Sequence, residues 1–133
     1  MKHEGVSTLL VTHDQVEAIT FSDRMLLMQK GKIVQEGSPS EIYQRPQNIW
    51  ASSFVGEANH LRVQWENDSL KTPLGELNVP YKIGIRTEIL MVRPEDFTIK
   101  SVSAEQANGI IKSVNFSGSF QTVFVSLKSG ETV

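Results

Sequence analysis

Leu9-Leu10-Val11-Thr12-His13-Asp14 constrains this chain more than any other stretch. Four apolar or β-prone residues run into a histidine and an aspartate, and an amphipathic run follows at once. The pattern predicts a strand over residues 6–12 that ends at the mouth of a helix. Near-continuous apolar character is what a parallel strand covered on both faces requires. In open α/β sheets, ligands bind at the carboxyl ends of such strands. His13 is therefore the residue here with a chemical task to offer, because imidazole can both donate and accept near neutral pH.

The residues after His13 read as punctuation. Asp14 is a good N-cap and Glu17 stands three residues on, the spacing of a capping box. Val16, Ile19 and Thr20 are spaced for one buried helical face, and the helix is expected to end near Ser22-Asp23. Residues 24–29 and 32–35 read as two strands around Lys30-Gly31, with Gly31 supplying a positive φ. Ser38-Pro39-Ser40-Glu41 starts a second helix, with Ser38 as cap, Pro39 at the first position and Glu41 at the third. Pro46 stops it. Residues 48–55 predict a further short helix closed by Gly56, with Ile49, Trp50, Phe54 and Val55 packing inward.

Charge and composition narrow the field. The formal net charge of the 133 residues is -2, so no bulk electrostatic pull toward nucleic acid or an anionic membrane is present. Residues 1–58 hold five Lys/Arg against seven Asp/Glu, and residues 59–133 hold eight of each. There is no cysteine, hence no disulfide and no thiolate metal site. No apolar run approaches the roughly 20 residues that span a bilayer, and no signal peptide is visible after Met1. His3, His13 and His60 lie far apart, without the paired spacing of a metal site.

In order, Leu10-Val-Thr-His-Asp-Gln-Val-Glu-Ala18, Ser22-Asp-Arg24, Gly31-Lys-Ile-Val-Gln-Glu-Gly-Ser-Pro39, Glu41-Ile-Tyr-Gln-Arg-Pro46 and Phe54-Val-Gly56 form a series. That series resembles the last stretch of the nucleotide-binding subunit of ABC importers, in the subgroup that carries maltose, polyamines, iron or sulfate. The likeness covers roughly residues 7–60. It implies that His13 is the switch histidine, which hydrogen-bonds the γ-phosphate of ATP and helps position the attacking water. Asp14 is mainly a cap in that family. The chain carries no Gly-x-x-x-x-Gly-Lys-Ser/Thr phosphate loop, no Leu-Ser-Gly-Gly-Gln signature and no apolar run ending in Asp-Glu before residue 6. A full family member has those elements upstream, together with ATP and magnesium. The expectation is that this chain alone neither binds ATP tightly nor hydrolyses it.

The second part is β-rich. Leu61, Val63 and Trp65 alternate with polar residues, Asn67-Asp68 reads as a turn, and residues 69–72 are expected to pair back. Pro73-Leu-Gly75 and Val79-Pro80 cut the pattern into short pieces, and Lys82-Ile-Gly84 reads as another turn. Residues 88–93 form a strong strand ended by Pro94, with a brief extension at Phe97-Thr-Ile99. Residues 109–116 and 121–127 are two long strands around Ser117-Gly118-Ser119, with Val123, Val125 and Leu127 on one face and Phe124 on the other. Lys128-Ser-Gly130 is a further turn. Short strands with frequent turns predict a small barrel or sandwich. Val92-Arg-Pro-Glu95 and Gly109-x-Ile111-x-x-Val114-x-Phe116-x-Gly118 resemble the OB-like TOBE regulatory domain that follows the nucleotide-binding domain in these subunits.

The fold class implied is α+β: a small α/β remnant over residues 1–58, then an all-β OB-like TOBE domain over residues 59–133. The family continues with further strands after Val133, so an incomplete domain with an open edge is expected. A second copy would cover that edge, making a homodimer. The implied function is coupling of ATP hydrolysis to solute import, with transmembrane permease subunits as partners and a cytoplasmic place at the inner face of the membrane.

Two other classes were weighed. A stand-alone module binding an oxyanion such as molybdate or sulfate would use Ser117-Gly-Ser119, Arg93 and Lys112, although turn chemistry alone explains the serines. A nucleic-acid-binding OB-fold needs a basic groove with stacking aromatics. Trp65, Phe97, Phe116, Phe120 and Phe124 supply aromatics, but the neutral balance of residues 59–133 supplies no groove, so no nucleic-acid partner is expected.

Overall fold

The computed structural model describes residues 5–66, 69–78 and 88–133. They fall into two compact units, Met1–Glu57 and Ala58–Val133.

The first unit is built from local signals. Helix α1 (Gln15–Phe21) starts because Asp14 Oδ1 accepts the Glu17 N–H at 3.0 Å, satisfying one of the helix's orphan donors. It ends at Ser22, whose hydroxyl donates to the Ala18 carbonyl. Strands β1 (Met25–Gln29) and β2 (Lys32–Gly37) form an antiparallel hairpin. Both turn residues have positive φ, Lys30 at 49° and Gly31 at 75°, the backbone of a type I′ turn. Helix α2 (Pro39–Gln44) opens with a complete capping box: Glu41 N–H donates to Ser38 Oγ, and Ser38 N–H donates to Glu41 Oε2. The Ser38 N–H and the Ser38 hydroxyl, both donating to Glu41 Oε2, hold that carboxyl below its ordinary pKa. Helix α3 (Ile49–Phe54) is capped by Asn48, which accepts the Ala51 N–H at 2.8 Å.

The hairpin's inner face and the two later helices close one core: Met25, Leu27, Ile42, Ala51 and Val55, flanked by Ala18, Ile19, Tyr43, Trp50 and Phe54. Trp50 and Phe54 stack with ring centroids 4.9 Å apart. Ile42 is wholly buried, a contribution of about 1.5–3 kcal/mol. Like Ser52, Gln35 is polar and buried. Its Nε2 donates to the Arg45 carbonyl at 3.0 Å and its Oε1 accepts the Gln47 N–H at 2.9 Å. The side chain thus satisfies both backbone groups flanking Pro46.

Two expectations fail in this unit. Residues 6–12 form no strand; Val6, Leu9 and Val11 are 71%, 84% and 88% exposed. The reason is partnership. A strand apolar on both sides needs a sheet to join and cover on both faces, and the hairpin's inner face is already taken by α2 and α3. Among the described residues this unit's strands pair antiparallel, and its helices pack on that hairpin. Helix α1 turns Ala18 and Ile19 toward the core and leaves Val16 and Thr20 exposed, and Ile49 likewise faces outward.

The second unit is mostly β, of TOBE/OB-like character. Strand β3 (Asn59–Arg62) pairs antiparallel with β7 (Ile89–Val92). Strands β4 (Gln64–Glu66), β5 (Ser69–Thr72) and β6 (Gly75–Asn78) form a meander, with Lys71 ion-paired to Glu66. Strands β8 (Gly109–Phe116) and β9 (Gln121–Leu127) form a long hairpin. Among the unit's described residues, Leu61, Val63, Leu70 and Leu127 are the buried apolar ones. Residues 131–133 run back along β9: Val125 and Val133 exchange N–H···O bonds of 2.8 and 3.0 Å. Gly130, at φ 95°, makes that reversal. Glu131 anchors it, accepting the Arg62 N–H and the Ser129 hydroxyl. Gly109 is required by close approach, since a Cβ there would lie 2.6 Å from the Ser126 carbonyl oxygen.

Pro94 begins a 3-10 turn (Pro94–Asp96), and Phe97-Thr-Ile99 is irregular rather than a strand extension. The described strands of this unit make three separate sheets and do not close a barrel through hydrogen bonds among themselves. The turns expected at Asn67-Asp68, Val79-Pro80 and Lys82-Ile-Gly84 lie outside the described residues.

Candidate functional site

The candidate site is the bend Thr12-His13-Asp14, and three local bonds shape it. Thr12 Oγ1 accepts the Asp14 N–H at 3.0 Å, folding the chain back at His13. Asp14 then accepts the Glu17 N–H with its side chain and the Ala18 N–H with its carbonyl. His13 is left exposed at the start of α1. An imidazole so placed can donate to or accept from an incoming group without first breaking a packed contact. Sequence reasoning assigned Asp14 correctly as the cap and missed Thr12. The signal was present, since a hydroxyl two residues before an N-cap is the pattern of a side-chain turn.

Arg93, Lys112 and Ser117-Gly118-Ser119 belong to the second unit. Arg93 is buried, 4% exposed, at the end of β7, whereas Lys112 and Ser117-Gly118-Ser119 are exposed. A buried guanidinium and an exposed hairpin tip do not line one solvent-facing anion pocket. The tip is a turn closed on itself, with the Ser117 N–H donating to the Phe120 carbonyl and Gly118 at φ 84°. His60 sits half-buried in β3, opposite Met91, rather than on the open surface. His3 lies outside the described residues. Among the described residues no group of three His, Asp or Glu side chains fits a metal ion. An open cleft of about 340 Å³ in the first unit is lined by Asp23, Arg24, Glu36, Gly37, Ser38 and Glu41, and Arg24 spans it to Glu36 at 2.8 Å. Among the described residues no helix is long and apolar enough to cross a membrane.

Residues 90–133 match the TOBE domain family. The chain is 38% identical over 129 residues to the spermidine/putrescine import ATP-binding protein of Spiroplasma citri, covering 93% of this chain and 37% of that protein. It is 32% identical over 126 residues to the Fe(3+) ions import ATP-binding protein of Pseudomonas fluorescens, covering 92% and 36%. Against the spermidine/putrescine import ATP-binding protein of Vibrio cholerae it is 33% identical over 142 aligned residues, covering 97% and 37%. The chain matches the C-terminal part of an ABC-importer ATP-binding subunit, TOBE domain included. It spans little more than a third of the length of these relatives. The TOBE match lies wholly in the second unit and takes in β8, β9 and the returning tail. The likeness to the import proteins runs through both units, so Thr12-His13-Asp14 and the TOBE strands stand in one continuous relationship.

Proposed function

We propose that this chain is the switch-histidine segment and the regulatory TOBE unit of an ABC importer's ATPase subunit, which couples ATP hydrolysis to solute uptake. The observation that carries the proposal is likeness over nearly the whole chain to import ATP-binding proteins, with a histidine at the bend before a capped helix. In the complete subunit His13 contacts the γ-phosphate and helps hold the attacking water. Positioning and charge stabilisation are the main means by which a protein accelerates phosphoryl transfer. The phosphate cradle and the magnesium ligands come from elsewhere in that subunit, because this chain has no phosphate-loop sequence of its own. The chain alone is therefore inactive toward ATP. The complete subunit works as a homodimer on the cytoplasmic face of the membrane, held there by permease subunits. The boundary between the two functions falls at residues 58/59.

The relatives' printed solutes differ, a polyamine in two and Fe(3+) in one, so the shared element is ATP-driven import rather than a particular solute. The test is the complete subunit carrying this segment, with and without His13→Ala. Turnover should fall at least ~10²-fold, the usual cost of removing one transition-state hydrogen bond, while nucleotide binding stays within a few-fold. Unchanged turnover would refute the role of His13. Histidine-dependent ATPase activity in the chain alone would refute its inactivity.

A further inference from the structure

We infer, resting on the reading of His13 above, that Thr12 is its positioning residue: the Thr12 hydroxyl aims the imidazole by tying the bend to the start of α1.

Asp14 is fixed to the helix twice. Its side chain accepts the Glu17 N–H at 3.0 Å, and its carbonyl accepts the Ala18 N–H at 3.0 Å. Its own N–H donates back along the chain to Thr12 Oγ1, also at 3.0 Å. His13 is the residue enclosed by that last bond. A hydroxyl closed onto the N–H two residues on is a side-chain turn, and it restricts the backbone of the residue between.

The imidazole depends on that restraint. It is exposed, and among the described residues no hydrogen bond or ion pair holds it. Its direction therefore follows the backbone that carries it. The run before it supplies no frame, since residues 6–11 form no strand and Leu9 and Val11 lie exposed. The frame comes from the helix side, through Asp14 and the Thr12 bond.

Threonine suits this task. Its hydroxyl is the acceptor, and branching at Cβ limits χ1, which holds the hydroxyl where the Asp14 N–H meets it. Valine has the same outline without the acceptor, and serine has the acceptor without the branch. Because Asp14 is exposed, its N–H can turn to water when the acceptor is removed, so the loss falls on aim more than on stability. Aim matters here, because a reacting group displaced by about 1 Å can cost ~10²-fold in rate.

The experiment has two arms. In the complete subunit carrying this segment, kcat and the KM for ATP are compared for Thr12→Val, Thr12→Ala, Thr12→Ser and His13→Ala. Thr12→Val and Thr12→Ala should each lower kcat by about tenfold. KM should stay within about twofold, and Thr12→Ser should bring kcat back to within about threefold of wild type. In the full chain, nuclear magnetic resonance reads the HN–Hα coupling of His13 and the exchange rate of the Asp14 amide. Thr12→Val should change both and Thr12→Ser should keep both, with the melting of the first unit unaltered. A wild-type kcat in Thr12→Val and Thr12→Ala, beside a slowed His13→Ala, overturns the role of Thr12 and leaves the reading of His13 standing. So does a slowed Thr12→Val that raises KM instead of lowering kcat, that serine does not rescue, or that leaves the His13 coupling unchanged. A kcat untouched by His13→Ala overturns both.

Discussion

Residues 6–12 and the β8–β9 hairpin are the two most β-prone stretches of the molecule, and only one of them forms strands. The first is apolar almost throughout and lies exposed without a ladder. The second is no better buried along β8, yet its two strands pair over their whole length. The difference is the distance to a partner. Strand β9 waits across a four-residue connection, and the Ser117–Phe120 bond closes the turn. A parallel partner for residues 6–12 lies beyond a crossover that α1 and its flanks must span. Strand propensity describes willingness to pair, and pairing is decided by what the chain brings alongside.

Amide hydrogen exchange gives the largest expected contrast. Amides of residues 6–11 should exchange at nearly the rate of unstructured peptide, while those of Val114, Val123 and Val125 are slowed by at least ~10²-fold. Equal protection in the two stretches would break the comparison outright. Next in size is Gly109→Ala. The added methyl meets the Ser126 carbonyl oxygen at 2.6 Å and Val125 Cγ1 at 2.8 Å, so the hairpin must shift, at about 1–3 kcal/mol of stability read by urea melts. A variant as stable as wild type would mean that the start of β8 is not tightly paired.

Asp14→Ala follows, at about 1 kcal/mol, the usual cost of a lost N-cap. It probes the point where the unpaired run gives way to ordered structure, and near-ultraviolet dichroism from Trp50 reports whether the first unit feels it. The smallest effect belongs to Glu41. Its carboxyl is held below the ordinary value of 4.5 by hydrogen bonds from Ser38, so the folded state binds that proton less readily than the unfolded state. The stability it contributes is complete above that ordinary value and is lost as pH falls through the lower, folded value. Glu41→Gln should therefore lower the first unit's stability slightly at pH 7, where that contribution is complete, and flatten the acid limb so that the two profiles converge at low pH. An acid limb as steep as wild type would show that the capping box carries none of the pH dependence.

What could be read from the sequence was whatever is settled within four residues. Asp14 at the start of α1, Ser38 with Glu41, Lys30-Gly31 and Ser117-Gly118-Ser119 each carry their own partner, and the structure makes Asp14 a cap, completes the capping box at Ser38 and Glu41 and places both turns as the sequence predicts. What escaped depends on distant neighbours. Residues 6–12 needed a sheet, Gly109 answers to Ser126, and Gln35 reaches ten and twelve residues along the chain to Arg45 and Gln47. His13 was singled out by the ordered motifs around it. Its exposure, and the Thr12 bond that bends the chain beneath it, were not.

Gln35 has a consequence for how this protein can drift. A carboxamide is the side-chain end that offers a donor and an acceptor in one small plane, and Arg45 and Gln47 call for one of each. Glutamate copies its shape and reverses half its polarity, leaving a carboxylate oxygen against a carbonyl. The two residues are separated by a single nucleotide in the genetic code. One single-nucleotide error at this position, and slow loss of the amide as the protein ages, therefore lead to the same faulty molecule.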